Sequence, residues 1–260
     1  MLLAWWQGAH PAVAAGMISA RVAGMADAAV ALPGIEALWS NPAGMIAHPQ
    51  LSVGLSAMVA DGGVRRRSGL YFQPDNGLGA GALGWRRSRW NPGEGIDQIQ
   101  YTLAISHHVW SFGGTIGWVD YKTADGTGDA GAVVDFGVQF APGAEVVVGA
   151  AINRVYSTLS DGLAIARPQA SLGVSTTAVP DLTLALELAD LTGPEVGLKV
   201  GVEYRLTEAM ATRLGTYRGL SRGWESWTAG LGWHQDNWLV DWALVLDAGI
   251  THWIGIGWNL

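Results

Sequence analysis

Glu195-Val-Gly-Leu-Lys-Val-Gly-Val-Glu-Tyr-Arg-Leu206 decides the fold. Successive side chains of an extended strand point to opposite faces, so Val196, Leu198, Val200, Val202, Tyr204 and Leu206 share one face. The other face carries Glu195, Gly197, Lys199, Gly201, Glu203 and Arg205. A helix would mix these two sets; only a strand separates them.

The same alternation recurs in both directions along the chain. Ile99, Tyr101, Leu103 and Ile105 oppose Gln98, Gln100, Thr102 and Ser106, and four leucines in 181–189 oppose Thr183, Ala185 and Glu187. Turn signals return about every 10 to 14 residues, the spacing of an antiparallel barrel or sandwich, and about 14 strands fit between residues 50 and 260. The turns at Pro74-Asp-Asn-Gly77, Val109-Trp110, Ala141-Pro-Gly143, Val179-Pro-Asp181, Thr207-Glu208 and Gln235-Asp-Asn237 are short. The intervening connections, 88–97, 122–130, 156–165 and 219–225, read as longer. Alternating short and long connections, with an even strand number, predict a closed antiparallel transmembrane β-barrel whose apolar face meets lipid, with both termini periplasmic.

Composition agrees. Charged residues make up 14% of 260 residues against about 25% in an average soluble protein, while Gly reaches 37 and Trp 14. No apolar run approaches the roughly 18 residues of a membrane-spanning helix. Cysteine is absent, which removes disulfides and thiolate chemistry, and a net charge of −7 argues against nucleic acid as a partner. Trp85, Trp90, Trp110, Trp118, Trp227, Trp238 and Trp253 fall near strand ends, where interfacial girdles form. The arginines of 65–67 and Arg86, Arg87 and Arg89 lie at the outer strand ends, placed to meet lipopolysaccharide phosphates or simply water.

No catalytic set emerges. Gly79-Ala-Gly-Ala-Leu-Gly84 matches the dinucleotide pattern, but no helix follows it. Asp125-Gly-Thr-Gly-Asp129 lacks the further carboxylates of a calcium loop, and His107, His108, His234 and His252 have no ligand spacing. The expectation is a non-enzyme with no cofactor and no metal. Period two sends Asp135, Glu187, Glu195, Lys199, Glu203, Arg205, Arg213 and Asp241 into the lumen, either to pair with one another and with the N-terminal segment or to line a substrate path.

Residues 1–16 have an apolar start and a small-residue stretch at Ala12 to Ala15, and read as a shortened signal peptide or an ordered tail. Beyond them, Arg21-Val-Ala-Gly-Met25, Ala28-Ala-Val-Ala31 and Ala37-Leu-Trp-Ser-Asn-Pro-Ala-Gly-Met45 resemble the N-terminal signature of FadL/PorV-like outer-membrane proteins. Trp227-Thr-Ala-Gly-Leu-Gly-Trp233, Val240-Asp-Trp-Ala243 and Ile254-Gly-Ile-Gly-Trp-Asn-Leu260 are similar to the family's last strands. The two matches cover about a third of the chain. The modest loops and the final Leu260, where an aromatic is usual, depart from the pattern.

The resemblance implies a barrel over 50–260 with residues 17–49 as a plug, in which Asn41 turns the backbone, Pro42 opens a helical turn, and Ala43 and Gly44 allow close approach to the wall. It also implies passive passage of a small hydrophobic ligand or, alternatively, a PorV-like role as partner to secreted proteins. A structural barrel with a sealed lumen is a third reading.

Overall fold

The computed structural model describes residues 19–60, 63–91, 93–160, 163–221, 223–247 and 249–260. The signal-peptide reading of residues 1–16 lies outside them. Fourteen strands form one closed antiparallel sheet. They are β1 (Ser52–Ala60), β2 (Gly63–Gln73), β3 (Ala80–Asn91), β4 (Glu94–His107), β5 (Trp110–Lys122), β6 (Gly128–Phe140) and β7 (Val146–Ser157). The second half comprises β8 (Gln169–Val179), β9 (Leu182–Ala189), β10 (Gly197–Thr207), β11 (Met210–Gly219), β12 (Glu225–Gln235), β13 (Trp238–Leu246) and β14 (Ile250–Asn259). Each strand pairs with its sequence neighbours, and β1 closes on β14 from Ser52 opposite Asn259 to Val59 opposite His252. Closure leaves no strand edge unpaired.

β4 shows which way the faces point. Ile99, Tyr101, Leu103 and Ile105 are 45–56% exposed, whereas Gln98, Gln100 and Thr102 are at most 6% exposed. A soluble sandwich buries its apolar face; this sheet buries its polar face and displays the apolar one, the arrangement a lipid surround requires. Leu55, Leu83, Ile116, Leu214 and Ile254 continue the apolar band around the outside. Trp85, Trp110, Trp118, Trp227 and Trp238 are exposed within it. Trp253 and Trp90 are not: Trp253 is 1% exposed inside the barrel, and Trp90 packs with Tyr121 in an apolar cluster with Ile96, Val119 and Val133. Strand-end position alone did not distinguish the two faces.

The six turns on the side where β1 begins and β14 ends are short. The connections at the other end are shorter than the sequence suggests, because β3 and β4 run on to Asn91 and Glu94, and β5 and β6 to Lys122 and Gly128. Charge explains the extension: Arg87 Nε and Arg89 Nη2 grip the two oxygens of Asp97 on the neighbouring strand at 2.5 and 2.6 Å. Cross-strand ion pairs carried the ladder into what composition marked as loop. The connection 158–168 stays long, and its described residues include the 3-10 turn Ala164–Ala166 and place Leu159 and Ile165 on the Ile96 cluster.

Candidate functional site

Residues 19–49 lie inside the barrel. Helix α1 (Ala20–Gly24) is capped by Ser19, whose Oγ accepts the Val22 N–H at 3.2 Å. Two 3-10 helices follow, Ile35–Trp39 and Pro42–Ala47. Such a segment brings backbone groups into a space without regular partners, and each buried one needs a hydrogen bond. The wall supplies them strand by strand. Thr228 on β12 accepts Ala26 N–H at 3.0 Å and donates to Gly24 O at 2.9 Å. Lys199 on β10 donates to Asp27 O at 3.0 Å, and Glu187 on β9 accepts the N–H groups of Ala29 and Val30 at 2.8 and 2.9 Å. Ser175 on β8 donates to Ala31 O, Gln139 on β6 to Val30 and Leu32 O, and Gln100 on β4 to Leu38 O. The segment thus travels around the inner wall, bonded by polar side chains of β12, β10, β9, β8, β6 and β4.

Space is made by inward glycines. A methyl group at Gly201 would lie 2.7 Å from Met25 O, one at Gly215 2.6 Å from Ala26 N, and one at Gly137 would overlap Asn41 Oδ1. Asn41, fully buried, caps the second 3-10 helix by accepting Ala43 N–H at 3.2 Å. Its Nδ2 donates to Val30 O at 2.7 Å and to Val138 O of β6 at 3.0 Å. Pro42 occupies the first turn of that helix, and Gly44 sits so tightly that a methyl would come 2.7 Å from Leu32 O.

Two ion clusters lock the first part of the segment. Lys199 Nζ lies 3.0 Å from both Asp27 Oδ2 and Glu187 Oε1, and Glu187 faces Lys199 directly across the β9–β10 ladder. Arg21 of α1 forms a two-pronged contact with Glu203 at 3.0 and 2.9 Å and approaches Glu36 at 3.6 Å. Arg213, opposite Glu203 on β11, bonds Glu203 and Asp241 at 2.5 Å each. Charges drawn out of water are costly unless each has a partner, and here each carboxylate has one.

Of the eight lumen-directed charges, Glu187, Lys199, Glu203, Arg213 and Asp241 therefore meet in these clusters. Asp135 also points inward, toward the opposite end, where it accepts the Arg154 N–H at 2.6 Å. Glu195 and Arg205 do not join them. Glu195 precedes β10 and accepts the Ser221 N–H in the adjoining loop at 3.1 Å; Arg205 is 65% exposed at the rim, 3.7 Å from Asp181. Glu195 lies before the strand begins, whereas Arg205 lies within β10 and lines the cavity at the lumen mouth.

The arginine group splits as well. Arg66 is 3% exposed and lies over the Trp253 ring at 5.5 Å, and Arg86 lies over Trp39 of the N-terminal segment at 5.6 Å, so both face the interior instead of lipid. Arg65, Arg67, Arg87 and Arg89 remain toward the outside. Arg21, Asp27 and Glu36, partners in the ion clusters, went unnoticed in the sequence because their segment has no periodicity that assigns a face.

At the end of the barrel where β14 closes, a cavity of about 430 Å³ lies beneath the segment. Arg21, Glu36 and Glu203 meet it from one side, and the inward-facing Thr183, Ala211 and Asp241 line it from the wall. Among the described residues no group of His, Asp and Glu converges as a metal site. In the 123–127 turn, Asp125 is held down to about 2 by the hydroxyl of Thr123, the hydroxyl of Thr127 and the Thr127 N–H, an ordinary turn network.

Geometry places the chain among closed 14-stranded membrane barrels that enclose an N-terminal segment. Solved structures share that fold over nearly their whole length. The CymD monoaromatic hydrocarbon channel matches with a TM-score of 0.72 at 12% identity, covering 95% of this chain and 98% of that one. The toluene transporter TbuX of Ralstonia pickettii gives 0.71 at 12% identity over 95% and 99%, and a Pseudomonas aeruginosa FadL homologue 0.60 at 13% over 93% and 97%. The fold is thus that of FadL-type barrels. No protein-family model and no curated protein sequence matches the chain.

Proposed function

We propose that this chain is an outer-membrane channel for passive passage of small hydrophobic molecules, with residues 19–49 as the plug and both termini in the periplasm. The observation that carries this reading is a segment lying across the lumen, fastened only by noncovalent contacts, above a cavity of about 430 Å³. Similarity of fold to hydrocarbon channels supports the substrate class. The apolar cluster of Ile96, Val119, Val133 and Leu159 at the opposite mouth supports it too. Short connections leave little platform for a secreted protein partner, so transport is preferred to a PorV-like role.

The test uses the absence of cysteine. A methyl at Gly255 would stand 3.5 Å from Ala20 Cβ, a separation that suits a disulfide. Ala20→Cys with Gly255→Cys pins α1 to β14. In intact cells expressing the oxidised variant, uptake of a labelled monoaromatic hydrocarbon should fall to the level of cells without the protein, and reduction should restore it. Equal uptake in the oxidised and reduced states, with the cross-link verified, would remove the N-terminal segment from the path.

A further inference from the structure

Among the described residues, the outer face of β2 and β3 carries more positive than negative charge, Arg67, Arg87 and Arg89 against Asp97. Arg67 and Arg87 stand directly opposite each other across the β2–β3 ladder, a like-charge placement that is unfavourable without an anion nearby. Arg89 follows two residues along β3, and Arg65 sits at the β-bulge beside Arg67. Among the described residues, the carboxylate that meets this group is Asp97, shared by Arg87 and Arg89. The next acid around the wall, Asp120, lies opposite Asp97 and pairs with Lys122 at 3.5 Å; Glu94 accepts from Asn91 at the hairpin tip. Elsewhere on the same rim charges balance, as where Arg218 faces Glu225. An excess of guanidinium on a chain of net charge −7 is a local feature.

Height in the membrane identifies the occupant. Trp85 precedes Arg87 by two residues on the same face and is 39% exposed, and Trp118 precedes Asp120 in the same way, 53% exposed. Exposed tryptophans mark the interface, and two residues of strand rise about 7 Å. The guanidiniums therefore stand just beyond the apolar band, at the level of lipid headgroups. Phosphate oxygens are the anions found there, and Arg recognises them with paired, charge-assisted hydrogen bonds.

We infer that Arg67, Arg87 and Arg89 form a binding site for the phosphates of a membrane lipid on the barrel's outer wall. With the orientation proposed above, that lipid is the phosphorylated lipid A of lipopolysaccharide; the site itself does not depend on the orientation. The transport reading is equally independent of it.

Purified protein in detergent is incubated with bisphosphorylated lipid A or with its dephosphorylated form, and retained lipid is read by native mass spectrometry. Lipid A should be retained and the dephosphorylated form should not. The variant Arg67→Gln/Arg87→Gln should lose about tenfold in retention, while Lys122→Gln/Arg218→Gln, with the same change in net charge, should keep it. Heat-dependent gel mobility verifies that each barrel is closed. Equal retention of the two lipid forms, or equal losses in the two variants, overturns the site. Displacement of lipid A by inorganic phosphate alone overturns its assignment to a lipid.

Discussion

The N-terminal segment is held inside the barrel by two different kinds of force. Residues 19–32 are rich in alanine, and their backbone lies close enough to the wall for Thr228, Lys199, Glu187 and Ser175 to bond it directly, reinforced by the ion clusters of Lys199 and Glu203. Residues 35–47 instead present Leu38, Trp39 and Met45 to Phe72, Ala80, Ala82 and Ala104. The first half is fastened chiefly by polar contacts, whereas the second adds buried apolar area to a few, Gln100 to Leu38 O and Asn41 to Val138 O. Polar contacts depend on geometry and fail abruptly when a partner is lost, whereas apolar ones weaken with area. If the segment moves during transport, as proposed, the combination lets one half loosen while the other keeps it in register.

The sharpest way to break this contrast is Lys199→Met. It removes the cation from between Asp27 and Glu187, whose side chains are 11% and 5% exposed, and leaves two buried carboxylates facing each other. Loss of one partner from a buried pair costs about 3–5 kcal/mol. Protease cleavage within residues 20–32 should rise by orders of magnitude in mild urea, while heat-dependent gel mobility still reports a closed barrel. A variant whose segment stays protected would show that the apolar half suffices.

Leu38→Ala tests the other half. Leu38 is 2% exposed and central to its cluster, so truncation costs about 2–5 kcal/mol, depending on how far the site collapses. Hydrogen exchange should quicken first at residues 35–46. If the halves are independent, the effects of Lys199→Met and Leu38→Ala add to within about 0.5 kcal/mol in the double variant. A larger discrepancy would make the segment one cooperative unit and end the distinction between them.

Much of this architecture could be read from the chain. The alternation in 195–206 gave the face of β10, and the register then made Lys199 opposite Glu187, and Arg213 opposite Glu203, unavoidable pairs. What could not be read has physical causes. The arginine triplet 65–67 was treated as one group, although period two alone separates Arg66 from its neighbours; side-chain length hid the fact that a guanidinium can lie over Trp253 inside. Nothing in the sequence marks the role of Gly137 and Gly201, because the backbone that occupies their missing side chains comes from far away in sequence. The partners of Glu187 are likewise two N–H groups more than 150 residues distant. A segment with no periodicity carries no mark of the face it will bury.

Asn41 is where the two halves join, and its substitution sharpens the comparison most finely. Its Oδ1 caps the 3-10 helix of the apolar half at Ala43, and its Nδ2 reaches back to Val30 O in the polar half and outward to Val138 O on β6. Asn41→Ala leaves those three backbone groups in a fully buried place, at about 1–3 kcal/mol, less than either preceding change because Val30 O retains the Gln139 amide at 3.3 Å. Asn41→Asp keeps the cap but cannot donate, so it separates the two roles. If the residue acts as a joint, Asn41→Ala should raise exchange at Ala43 and also uncouple the halves, bringing the Lys199 and Leu38 effects closer to additive. Asn41→Asp should retain protection at Ala43 and still uncouple them. If it is a cap alone, Asn41→Asp will keep protection at Ala43 and leave any coupling between the halves unchanged, which must then run through the wall.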